Sequence, residues 1–363
     1  MKNTKKRLVS LLLAVGMLLA TGCSEKSPDE KEKETTTTIA ETTTEGTTTT
    51  APEESEPPVT TETPEPEVEL HPLEKLPESD ITPALWKLET DGGATIYFMG
   101  SMHALPEEAY SLPKEIMDAY KNSEAIAVEC DIVAFQTDLP AQFALSQQMI
   151  YTDGTTFADH VSPELYDALV DKMNEWGIYS SMYEMMKPAA WQTFIEEYLG
   201  STSDVLAENG FDGFFLEKAK KEGKEIIEVE SVASQMDMMF GFSDEINELL
   251  LSSYLEYTPE MYAEEIRELY EIWAGGDWEE ITSFLATEYD ESLMTEDEIE
   301  AMKEYDKQMM HDRNKVMSDK LIELSKGDKD VFFYVGLAHY VGDTGILAEL
   351  DKAGVEYERV EYN

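Results

Sequence analysis

The sequence predicts an α/β fold: a sheet built from two strand-Gly-x-x-His-helix-strand units, with a large helical insertion between them. Three observations carry this. Short apolar runs bounded by turn residues read as strands at Thr95–Met99, Ala125–Cys130, Glu225–Val229, Val331–Val335 and Glu356–Val360. Segments with helical spacing lie between them, and strands followed by helices at both ends of a domain give α/β. Finally, one unit occurs twice. Thr95–Met99 runs into Gly100-Ser-Met-His103, a helical segment at Pro113–Tyr120 and the run Ala125–Cys130. Val331–Val335 runs into Gly336-Leu-Ala-His339, a helical segment at Thr344–Lys352 and the run Glu356–Val360.

The N-terminus precedes this domain by a long way. Lys2, Lys5, Lys6 and Arg7 are followed by an apolar run, Leu11–Ala20, too short to span a bilayer and ending in small residues. Residues 1–22 therefore read as a signal peptide. Leu18-Leu19 and Ala20-Thr21-Gly22 before Cys23 resemble a bacterial lipobox, which implies cleavage before Cys23 and acyl chains on that cysteine. From 23 to 80 the chain is Thr, Glu, Pro and Lys with almost no large apolar residue, which predicts a disordered tether. The domain is expected over 81–363, its helical insertion over about 136–325. Helical spacing appears at Pro163–Trp176, Tyr183–Tyr198, Gly213–Lys221, Glu245–Tyr257, Pro259–Trp273, Trp278–Thr287 and Glu296–Lys326.

Charge and cysteine content remove several functions. Net charge is −50, from 77 acidic and 27 basic residues, so nucleic acid is excluded for want of clustered Lys and Arg. The same charge repels anionic headgroups, leaving membrane contact to the lipid anchor, and the signal sequence and lipobox predict a place outside the cytoplasm. Of the two cysteines, Cys23 is expected to carry lipid, and Cys130, ending an apolar run, reads as a core residue.

The candidate chemistry lies where strands stop. In an open α/β sheet, ligands collect beyond the carboxyl ends of the strands. Gly100 and Gly336 stand at two such ends, with His103 and His339 three residues on; Glu129 ends a third run and Glu230 follows a fourth. If these strands are parallel neighbours, two imidazoles and one or two carboxylates converge as a three-ligand site for a divalent metal. Each residue alone also has a plainer reading, and Glu230 could simply cap a helix beginning at Ser231.

Phe98-Met-Gly-Ser-Met-His-Ala-Leu-Pro106, followed by Ile126-Ala-Val-Glu129, resembles the opening of the TraB/PrgY/GumN family, relatives of the Tiki metallopeptidases. The likeness continues in order through Gly210-Phe-Asp-Gly213, Val229-Glu-Ser231 with Gln235, Arg313-Asn314, and Tyr334-Val-Gly-Leu-Ala-His-Tyr-Val-Gly342. It implies an α/β fold similar to the erythromycin-esterase-like and haem-binding ChaN-like proteins. It further implies a metal-dependent peptidase with His103, Glu129 and His339 as ligands, manganese or cobalt favoured and zinc or iron admissible. Glu129 would ligate the ion or take a proton from its water. Arg313 would stabilise an oxyanion or form an ion pair on the helix surface, and Glu230 would be a supporting polar residue. Ala338 stands where many relatives carry glycine.

Two further function classes stay open: a lipoprotein that sequesters a peptide or signal without cutting it, and a haem- or iron-binding lipoprotein. Asp343-Thr-Gly345 occurs once and reads as a helix N-cap, not an aspartic-protease motif. No His-Glu-x-x-His, Gly-x-Ser-x-Gly or P-loop occurs. His160 and His311 are expected on the surface and His71 in the tether. The methionines and aromatics of the centre (Met182, Tyr183, Met185, Met186, Trp191, Met236, Met238, Met239, Phe240) read as core, with a Met-rich peptide groove as the sharper alternative.

Overall fold

The computed structural model describes residues 71–206, 210–286 and 291–362. The expected signal peptide, Cys23 and the expected tether as far as residue 70 lie outside the described residues. Six strands form the main sheet in the order β6-β4-β7-β2-β1-β8: β1 (Leu85–Glu89), β2 (Thr95–Ser101), β4 (Ala125–Val128), β6 (Glu225–Glu228), β7 (Val331–Gly336) and β8 (Glu358–Arg359). β7 lies parallel between β4 and β2, and β6 is parallel to β4. Only β1 runs antiparallel to its neighbours in this sheet. A separate pair joins β3 (Leu105–Pro106) to β5 (Val205–Leu206).

Strand composition explains the order. All six residues of β7 and all four of β4 are buried, as unbroken apolar runs must be when helices cover both faces. β6 keeps an exposed glutamate at each end, which suits an edge by discouraging further pairing.

The helices are α1 (Lys114–Asn122), α2 (Ile132–Phe135), α3 (Leu139–Gln148), α4 (Pro163–Trp176), α5 (Pro188–Thr202), α6 (Phe211–Glu222) and α7 (Val232–Met239). They continue with α8 (Asp244–Ser253), α9 (Pro259–Gly275), α10 (Trp278–Leu285), α11 (Glu296–Asp306), α12 (Asp312–Leu324) and α13 (Ile346–Ala353). Tyr120 of α1 and Phe215 of α6 pack on Phe332 of β7. Elsewhere on the sheet, Trp86, Phe98 and Tyr340 stack, and Trp278 meets Trp86 edge-on.

A second apolar core is drawn mostly from the helices, and in it Phe157 stacks on Trp191 with ring centroids 3.9 Å apart. Met302 and Tyr305 of α11 belong to this core, whereas Met317 and Leu321 of α12 belong to the sheet's core. A π turn, Lys307–His311, joins the two helices. Such a turn carries one residue more than an α turn and so re-aims the following buried face.

Three expectations change. The tether does not extend to residue 80: Pro72–Lys75 forms a 3-10 turn, Leu73 is buried, and the His71 ring lies 5.0 Å from that of Phe214. The stretch 136–325 is not one helical insertion, because α6 and β6 return to the main sheet. Nor does Asp343 or Thr344 cap α13, whose N-cap is Gly345 with no side-chain bond. The two Gly-x-x-His units are also unequal, the first ending in the fully buried β4 and the second in the exposed edge strand β8. Among the described residues no helix is long and apolar enough to cross a membrane.

The helical core holds one unusual group. Glu196 on α5 is buried, accepts a hydrogen bond from Tyr254 and is pushed up from 4.5 to about 8 by desolvation. The folded state thus keeps a proton that the unfolded chain has released, so stability is full below about pH 4.5 and is lost as pH rises through about 8. Glu196→Gln is expected to flatten this fall by more than about 1 kcal/mol between pH 5 and about pH 8, in urea unfolding at each pH. A parallel decline in the variant would show that Glu196 is not its source.

Candidate metal and catalytic site

Parallel pairing of β2 with β7, Gly100 opposite Val335 and Ser101 opposite Gly336, brings both Gly-x-x-His turns to one end of the sheet. Parallel pairing of β7 with β4 adds Glu129, the residue after β4. Neither motif glycine has a positive φ; each is required by close approach. A β-carbon on Gly100 would stand 2.5 Å from Leu337 Cδ1. One on Gly336 would stand 3.2 Å from Glu129 Oε1, 3.4 Å from His103 Nε2 and 3.6 Å from His339 Cδ2. Gly336 is therefore the floor on which the three expected ligands meet.

Each group is held from behind. His103 Nδ1 lies 2.8 Å from Asp212 Oδ2, and Asp212 Oδ1 accepts from Ser101 Oγ at 2.9 Å. His339 Nδ1 lies 2.6 Å from Asn314 Oδ1. Both rings thus turn Nδ1 toward an oxygen, so a neutral imidazole protonated at Nδ1 would present its Nε2 lone pair forward. His103 Nε2 is buried without a hydrogen-bond partner, and His339 Nε2 lies 3.8 Å from Glu129 Oε1. Glu129 Oε1 accepts from Gly336 N at 2.7 Å, while its Oε2 accepts from Arg313 Nη2 at 2.8 Å and Gln235 Nε2 at 3.2 Å.

Arg313 is buried and pairs with none of its helix-surface neighbours. Its Nε and Nη2 lie 3.0–3.2 Å from the Glu230 carboxylate as well. Glu230 does not cap α7; Ser231 does so with its own hydroxyl, and Glu230 faces Arg313 and Gln235. Two carboxylates thus share one guanidinium, leaving one negative charge where Nε2 of His103 has no partner.

The electrostatics follow. Burial alone would raise Glu129, yet Arg313, His339 and His103 hold it down at about 2. Burial works against a charged His103, but Asp212, aided by Glu129, raises it to about 9. His339 goes the other way, lowered to about 3 by burial and by Arg313. One imidazole is therefore poised to carry a proton and the other to stay neutral.

The donor types, two imidazole nitrogens and a carboxylate oxygen, suit a divalent transition metal. They do not stand as a closed set: among the described residues no three His, Cys, Asp or Glu side chains are already grouped for an ion. What fits a cation is His103 Nε2, buried without a hydrogen-bond partner, which would have to shed its proton to serve as a ligand.

Of the other candidates, Cys130 adjoins the site, its Sγ 3.6 Å from Gln235 Oε1. Cys130 is buried and free, and burial raises its thiol well above the usual range. His160 is no plain surface group, since its ring stacks on Tyr151 at 4.2 Å and its Nδ1 lies 3.1 Å from Asp244. Met236 and Met239 are core, while Met182 and Met185 are exposed. Sequence reasoning assigned no role to Ser101, Asp212, Gln235 or Asn314, although all four stood in the stretches it quoted.

The model of the TraB/PrgY/gumN family matches residues 84–359, the span from β1 to β8 that contains every residue of this site. The chain belongs to the TraB/PrgY/gumN family. It is similar to the uncharacterized protein YbaP of Escherichia coli (strain K12), 24% identical over 257 residues, covering 69% of this chain and 86% of YbaP. YbaP of Shigella flexneri matches with the same identity and coverage. No solved structure matches the chain. Membership in the family names no reaction.

Proposed function

We propose that this TraB/PrgY/gumN member is a divalent-metal-dependent hydrolase acting on peptides, related to the Tiki metallopeptidases and anchored outside the cytoplasm through lipid on Cys23. The observation that carries the reading is the buried, unpartnered His103 Nε2 facing the same point over Gly336 as Glu129 Oε1. His103, Glu129 and His339 would hold the ion, manganese or cobalt first. When bound, such an ion polarises a carbonyl and lowers the pKa of water.

The chain's own groups do the rest. Asp212 and Asn314 fix the two imidazoles in their forward-facing tautomers. Arg313 and Gln235 hold Glu129 Oε2 and Gly336 N holds Oε1, so Glu129 would either ligate the ion or, standing off it, take a proton from its water. Arg313 is committed to Glu129 and Glu230, which favours positioning over oxyanion binding.

Metal analysis of the full chain tests this, beside His103→Ala/His339→Ala. About one divalent ion per chain is expected in the parent after incubation with manganese or cobalt, with most of it lost in a still-folded variant. The parent should cleave members of a peptide library, and chelation should stop it. Peptide binding without metal would favour sequestration instead, and a Soret band on adding haem would favour the ChaN-like reading.

A further inference from the structure

We propose that the groove between α3 and α7 binds a peptide segment in which an apolar side chain is flanked by lysine or arginine. It encloses about 350 Å³, with Ala144, Leu145, Ala233 and Met236 among its apolar lining. That volume accepts a large side chain with its neighbours. Asp131, Asp138 and Glu228 stand in the same wall, and no lysine or arginine does. Lys220 pairs with Asp131 at 2.9 Å. Asp138 and Glu228 accept from the backbone N–H groups of Ala141 and Asp131, bonds that leave their charge in place. The rim thus favours cations and disfavours acidic peptides.

Two further observations point to an occupant. Helix α3 has no buried residue and displays Leu139 and Phe143, one turn apart and 74% and 67% exposed. A short helix with an uncovered apolar stripe beside an apolar groove has the composition of a binding wall. The groove also backs directly onto the site. On α7, Gln235 touches Glu129 and Glu230 while the next residue, Met236, lines the groove; Asp131 lies two residues beyond Glu129. That this segment is substrate rests on the hydrolase reading; that it binds does not.

The test is fluorescence anisotropy of the full chain with labelled peptides built on Lys-Leu-Phe-Lys, Glu-Leu-Phe-Glu and Lys-Gly-Ser-Lys. Only the first is expected to bind well, and increasingly weakly with salt. Ala233→Trp, on an exposed position, should weaken it about tenfold or more by filling the groove. Asp138→Asn with Glu228→Gln should do likewise while Asn still caps α3. Equal affinity for the acidic peptide, or no effect of Ala233→Trp in a folded variant, overturns the proposal. Binding without cleavage leaves the groove standing and the hydrolase reading fallen. Cleavage of the first peptide indifferent to the groove variants does the reverse.

Discussion

Arg313→Met is expected to destabilise the protein by about 3–5 kcal/mol, measured as the shift in urea unfolding at constant slope. The reason is what it leaves behind. Buried Glu129 and largely buried Glu230 both lie within 3.0 Å of Arg313 Nη2, and Gln235 is their one other shared side-chain donor among the described residues. Breaking a buried ion pair by removing one partner strands a charge, which is far more damaging than replacing the pair by apolar groups. A second substitution makes the inference specific. Glu129→Gln placed in the Arg313→Met background should recover part of the loss, since it removes one stranded carboxylate. A loss below about 1 kcal/mol, or no recovery, would mean that water reaches the cluster and that Arg313 does not organise it.

How much of this was legible depended on whether local chemistry or distant pairing decided it. Helix α4 matches its expected span, Pro163–Trp176, because Ser162 caps it, Pro163 fits its first turn and Gly177 ends it with φ +76°. β4 and β7 were readable as unbroken apolar runs. β1 was not, since Lys87 and Glu89 interrupt it; the Asp91-Gly92-Gly93 turn leading to β2 was the available signal. α3 left no apolar period to read because it buries nothing. The pairing of the two histidines was legible from repeated Gly-x-x-His spacing, and Arg313 and Glu230 as supporting residues from the family resemblance, but the contacts that join them were not. Asp212 lies 111 residues from the Ser101 that braces it, and Arg313 lies 184 from Glu129. Only the crossing of β2, β7 and β4, with the π turn re-aiming α12, brings them together, and no local pattern encodes that.

Glu129→Gln separates chemistry from architecture. Glutamine has the same shape, so its carbonyl can still accept from Gly336 N, and although its NH2 then faces the donors of Arg313 and Gln235, both keep Glu230 as an acceptor. The variant should therefore fold, with its far-ultraviolet circular dichroism unchanged. What it loses is the negative charge facing His103 and His339 and the capacity to take a proton. A positioned acid-base group is worth about 10²–10⁴ in rate, so kcat on a cleaved peptide should fall by that factor with weaker metal retention. Glu230→Gln is the control, because Glu230 reaches Arg313 and Gln235 but neither histidine. Its kcat should fall less than about tenfold, since it acts only through Arg313. Equal losses in the two variants would make Glu129 another buttress of the cluster, and the acid-base role would have to move to His103, the imidazole that Asp212 equips to carry a proton.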